Sequence, residues 1–105
     1  MPAESAAQLF NALGDPTRLA LVGRLSQGGP AAIVSLTAGT DMTRQAVTKH
    51  LRVMEKAGLV RCTRLGRTTA WELDRRRLED AQAHLAAISR QWDDALDRLR
   101  SFVED

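Results

Sequence analysis

Along the first half of the chain, apolar residues recur three and four positions apart, the spacing of helices buried along one side. Leu9, Phe10 and Leu13 mark a first helix over residues 3–13, closed by Gly14. A second opens at "DPTRLALVGRL": Asp15 can accept the first free amides, and Pro16 suits a first helical position, where its missing N–H costs nothing. Leu19, Leu21, Val22 and Leu25 supply its core stripe before "SQGGP" breaks it. A short third helix is expected from about Ile33 to Ala38, then a tight turn, "GTDMT", with Thr43 as the cap of a fourth helix. In that helix Ala46, Val47, His50, Leu51 and Met54 share one side, and Gln45, Thr48, Lys49 and Arg52 share the other.

After Gly58, able to end a helix in a left-handed conformation, the period shortens to two. "LVRCTRL" and "TTAWEL", separated by "GR", predict a β-hairpin, with Thr69, Trp71 and Leu73 on one face. Beyond Asp74 the period lengthens to seven. Leu78, Leu85, Trp92 and Leu99 form one register, Ala81, Ile88, Ala95 and Phe102 the other, and Leu96 and Val103 widen the stripe. A helix of nearly thirty residues reaches about 40 Å, farther than one small domain can cover. Symmetric pairing with a second copy through Leu85, Ile88, Trp92, Leu96 and Leu99 is therefore expected.

The 105 residues, 44% hydrophobic, suit a single domain and are too few for two independent cores. No 18-residue apolar run and no secretory leader pattern is present, so a soluble, cytoplasmic protein without membrane contact is expected. One cysteine, Cys62, rules out an intrachain disulfide and a thiolate-pair metal site. The net charge is only +2, but its distribution is uneven. Residues 43–67 carry seven basic side chains against one acid, while the segments on either side are each net acidic.

That concentration falls on a short helix, a tight turn and a longer helix with polar and basic residues exposed from its first turn. This is the order of a helix-turn-helix, whose second helix enters the DNA major groove. Gln45 can bond a base edge, Arg44 and Lys49 can reach guanine or phosphate, and Thr48 can bond a base or touch a thymine methyl. Arg52 lies farther along the same face. His50 sits on the apolar side, as a packed residue or a phosphate contact. The hairpin arms add Arg61 and Arg64, and its tip adds Arg67. The expected fold is mainly α (α+β): a winged helix-turn-helix with a β-hairpin wing and a long C-terminal dimerisation helix.

"LFNALGDPTRLALVGRL", "TRQAVTKHLRVMEKAGLV" and "RLGRTTAWEL", followed by the long last helix, resemble the ArsR/SmtB family of bacterial winged-helix repressors across nearly the whole chain. The resemblance implies a homodimer built from residues 1–13 and 75–103, bringing in Leu9 and Phe10, and a double-stranded operator of dyad symmetry. It also implies repression of nearby genes, often including its own, with Thr43, Arg44, Gln45, Thr48 and Lys49 at the reading positions and Arg67 at the wing tip. An inducer is then to be sought; the residues name none.

Departures from the family pattern are informative. "IVSLTAGTD" stands where metal-sensing members commonly carry a cysteine-rich box, and the last helix offers only Asp80 and His84. No metal site and no cofactor is expected. Cys62 is expected to pack under the wing, and Arg75, Arg76 and Arg77 to be solvated, with contacts to the DNA flanks as the alternative. No glycine-rich phosphate loop and no nucleophile–base pair points to an enzyme. The rival reading is a winged-helix protein-interaction module without DNA binding, against which the basic segment 43–67 argues.

Overall fold

A computed structural model describes residues 2–104, so Met1 and Asp105, the ends of the expected domain, lie outside the described residues. The elements run α1 (Ala3–Leu13), α2 (Pro16–Gly28), α3 (Ile33–Ala38), α4 (Arg44–Lys56), β1 (Val60–Leu65), β2 (Thr68–Leu73) and α5 (Arg75–Glu104). This is the mainly helical, winged architecture the sequence predicts.

Local chemistry sets the boundaries. The Asp15 carboxylate accepts from the Arg18 backbone N–H at 3.0 Å with Pro16 in the first turn, and the Thr43 hydroxyl accepts from the Ala46 N–H at 3.1 Å. That backbone bond, helped by the nearby Arg18 charge, holds the Asp15 carboxyl below its ordinary value of 3.8. The cap is thus in place above pH 4 and is lost only as pH falls through the lowered value. At the end of α4, Gly58 takes φ 79°, its N–H donating to the Glu55 carbonyl while the Leu59 N–H donates to the Met54 carbonyl. This paired closure needs a left-handed residue. Asp74 opens α5 by accepting from the Arg76 N–H at 3.0 Å.

Leu9, Leu21, Leu36, Val47, Leu51, Met54 and Leu59 close the core, drawn from each helix of the N-terminal bundle plus the root of the wing. β1 and β2 pair antiparallel in the register Val60↔Leu73, Cys62↔Trp71 and Leu65↔Thr68. Ala31 adds a single bridge, exchanging two backbone hydrogen bonds with Trp71 at 2.9 and 2.8 Å, so the α2–α3 connection is fastened to the wing.

Three arginines finish helix ends that sequence spacing leaves open. Arg18 donates to the Ala12 and Asn11 carbonyls at the end of α1, and Arg24 to Leu36 and Ser35 at the end of α3. Arg77 donates from Nε to the Ala57 carbonyl at 2.9 Å, just past α4, and from Nη2 to the Ser5 carbonyl and hydroxyl on α1. At the ends of α1, α3 and α4 these bonds place a cation on orphan carbonyls at the negative end of a helix. Arg77 is therefore not a solvated companion of Arg75 and Arg76; it ties α1, α4 and α5 together. Arg77→Ala is expected to cost about 1–3 kcal/mol, read as a lowered denaturant midpoint with an unchanged slope.

The chain extends 68 Å along its longest axis and 26 and 24 Å across. Thirty residues of α5 account for the elongation. Its first turns pack on α1, with Ala81 buried and His84 against Phe10 at 5.7 Å between ring centroids. Beyond that the seven-residue stripe is bare: Leu85, Ile88, Leu96 and Leu99 are exposed, Trp92 is 66% exposed and Phe102 82%. Leu9 departs from expectation. Grouped with the dimer residues from its place on the first helix, it is fully buried in its own core, because α1 turns Ala6, Leu9 and Ala12 inward.

Candidate nucleic-acid interface

The turn ahead of α4 is held by side chains as well as backbone. Thr40 donates from its hydroxyl to the Thr37 carbonyl at 3.1 Å and accepts from the Met42 N–H at 3.2 Å, while Arg24 grips the end of α3 just before it. The α3–α4 pair therefore meets the rest of the domain as one unit. Val47, Leu51 and Met54 bury its inner side.

The outer side of α4 carries Arg44, Gln45, Lys49, Arg52 and Lys56, all exposed, with Thr48 half-buried at the edge and Thr43 exposed at the cap. At 3.6 residues per turn, Gln45, Lys49, Arg52 and Lys56 make one line along the helix. The wing stands beside it. A two-residue turn, Gly66–Arg67, joins the strands, and Gly66 at φ 65° supplies the positive dihedral that lets so short a loop follow the strand twist. Arg64 shares a hairpin face with Cys62, Trp71 and Leu73, because alternate residues of a strand and their cross-strand partners point the same way. Arg64 and Arg67 are exposed.

Charge pairing separates these cations into two groups. Arg61 pairs with Glu72 across the hairpin and lies 3.8 Å from Asp74, and the Glu72 carboxylate beside it holds the guanidinium more firmly charged than usual. Arg52 bonds Glu55 at 2.9 Å and sits over the Trp71 ring, 4.9 Å from its centroid. Among the described residues, Arg44, Lys49, Lys56, Arg64 and Arg67 form no ion pair. Five unpaired cations on one helix face and its neighbouring hairpin suit a polyanion.

Two of the expected contact residues also have partners within the chain. His50 points its Nδ1 inward, 3.3 Å from Arg18 Nη1 and 3.8 Å from Asp15 Oδ2. A guanidinium only donates, so toward Arg18 this nitrogen can only accept. His50 is thus a buttress between α4 and α2, the packed alternative of its two readings. Arg52 is engaged by Glu55 and Trp71 on its own chain. Spacing alone could not reveal Trp71, Arg18 or Arg77 as partners, since each contact joins elements distant in sequence.

On α5, Asp80 lies 3.6 Å from Arg77 and His84 packs against Phe10. Among the described residues no group of three or more histidine, cysteine, aspartate or glutamate side chains gathers as a metal site would require, and no helix is long and apolar enough to cross a membrane.

Residues 13–63 match a family model described as a helix-turn-helix domain. An uncharacterised helix-turn-helix transcriptional regulator of Methanocaldococcus jannaschii is 32% identical over 63 residues, 60% of this chain and 71% of that protein. A transcriptional repressor SmtB homologue of a Synechocystis species is 32% identical over 71 residues, 68% of this chain and 53% of that protein. Among solved structures, an ArsR family transcriptional regulator superposes with a TM-score of 0.79 at 32% identity, covering 89% of this chain and 95% of the other.

Proposed function

Because this chain belongs to the ArsR family of helix-turn-helix transcriptional regulators, a family without enzymatic activity, we propose that it acts as a homodimeric repressor reading a dyad-symmetric operator. The carrying observation is the set of unpaired cations, Arg44, Lys49, Lys56, Arg64 and Arg67, around the exposed Gln45 and the half-buried Thr48. In this reading Thr43, Arg44, Gln45, Thr48 and Lys49 enter the major groove, and Arg64 and Arg67 hold the flanking backbone. The dimer forms through the bare stripe of α5, Leu85, Ile88, Trp92, Leu96 and Leu99, together with the outer side of α1, where Phe10 is half-buried. Two copies then present two α4 helices to successive turns of the duplex. Repression is supported by the relative named a transcriptional repressor homologue.

The rival, a winged helix that binds protein instead of DNA, is separated by salt. Fluorescence anisotropy on a random duplex is expected to show affinity falling about a thousandfold between 50 and 200 mM salt if six phosphates are neutralised per dimer. Binding that is absent at low salt, or indifferent to salt, favours the rival.

We also expect the protein to stay on its operator when zinc, cadmium or arsenite is added at stoichiometric levels. A tight zinc site needs three or four protein ligands, whereas Asp80 and His84 are two, each with a neighbour of its own. Metal-dependent loss of a gel-shifted band, abolished in His84→Ala, is the contrary result.

A further inference from the structure

Arg52 stands on the exposed line of α4 between Lys49 and Lys56, yet it alone of the three is spent on its own chain. Its Nη1 bonds Glu55 at 2.9 Å while its Cζ lies over the Trp71 ring, 4.9 Å from the centroid. A guanidinium suits that double engagement, since one nitrogen can bond a carboxylate while the group as a whole meets the face of a ring. Trp71 is a fixed point. It is 4% exposed, faces Cys62 across the hairpin, and has both backbone groups bonded to Ala31. Past it the hairpin runs outward through the Arg64–Thr69 pair to Gly66 and Arg67, where every side chain described is exposed. Arg67 lies four residues before Trp71, about 13 Å of lever at roughly 3.3 Å each.

We propose that Arg52 is a positioning residue: clamped between Glu55 and Trp71, it sets the angle of the wing against α4 and so fixes the spacing between groove-reading and backbone-holding residues. The effect on affinity rests on the reading of the wing as a DNA contact. A direct phosphate role fits less well, since the Glu55 carboxylate neutralises Arg52 locally and repels a phosphate beside it, whereas Lys49 and Lys56 carry no such partner.

The test uses Arg52→Ala, Arg52→Lys, Arg67→Ala and the double variant Arg52→Ala/Arg67→Ala. In the free protein, amide exchange over residues 60–73 is expected to quicken about two- to fivefold in both Arg52 variants, the size of an exposed cation–π interaction, with α1 and α2 unchanged. On the selected duplex both variants bind about two- to fivefold more weakly per wing engaged. That weakening shrinks when Arg67 is already alanine, because a misplaced wing that holds fewer phosphates has less affinity to give up. If Arg52→Lys binds as wild type and the two alanine changes add, Arg52 is a phosphate contact and the proposal falls. Unchanged exchange in the hairpin overturns it without reference to DNA. Quickened exchange combined with a silent Arg67→Ala upholds the clamp and removes the reading of the wing as a DNA contact.

Discussion

Trp92→Ala is expected to turn the protein into folded monomers that bind DNA poorly. In the isolated protomer the ring is 66% exposed and makes no part of the core, so its removal should leave the helix content and the stability of the winged domain unchanged. In a dimer paired along α5 it lies mid-stripe, with Leu85 and Ile88 before it and Leu96 and Leu99 after. Truncating a buried tryptophan costs about 3–5 kcal/mol, and twofold symmetry repeats the change on the partner. A cost of that size raises the dimer dissociation constant by at least about two orders of magnitude. Affinity for the operator falls with it, since one half-site must then be held alone. Sedimentation equilibrium gives the dimer constant and circular dichroism the fold. A wild-type protein that is monomeric at micromolar concentration, or a variant that dimerises as well as wild type, contradicts this arrangement.

The second large effect separates reading from holding. Gln45 and Thr48 lie in the first turns of α4, where side chains meet base edges, and each good pairing discriminates by about 1–3 kcal/mol. Gln45→Ala and Thr48→Ala are expected to lower binding to the preferred duplex while leaving binding to a scrambled one nearly intact. Arg67 sits at the tip of a two-residue turn, exposed and unpaired, so Arg67→Ala should weaken both duplexes alike. The salt slope should become shallower by about one for each phosphate that a subunit no longer neutralises. The comparison needs both duplexes at several salt concentrations. If the α4 variants leave the specific-to-random ratio unchanged while Arg67→Ala collapses it, the two roles are reversed.

Much of this arrangement is legible in the chain because its signals are local. Asp15 before Pro16, Thr43 three residues ahead of Ala46, Gly58 after the last turn of α4 and the Gly66–Arg67 turn each act over a few neighbouring residues, and each stands where the spacing predicts it. The seven-residue stripe of α5 is equally plain, and its bare outer half follows from helix length alone. Periodicity tells which residues share a face; it does not tell what the face meets. Leu9 and Phe10 are neighbours in one apolar pattern, yet the rotation of α1 against α2 and α4 buries the first completely and leaves the second against His84. Arginines defeat charge counting for the same reason. Arg18, Arg24 and Arg77 reach carbonyls 6 to 72 residues away, and Arg52 finds Trp71 on another element, so a cation count in sequence mixes structural ties with groups free to meet phosphate.

Whether a dimer reads a duplex of matching symmetry through α4 is decided by selecting binding sites from random duplexes and weighing the complex formed on the winner. The expected result is an enriched sequence with dyad symmetry, its half-sites about ten base pairs apart centre to centre or a multiple of that, occupied by two chains. Enrichment of no sequence, or a single asymmetric site carrying one chain, would contradict it.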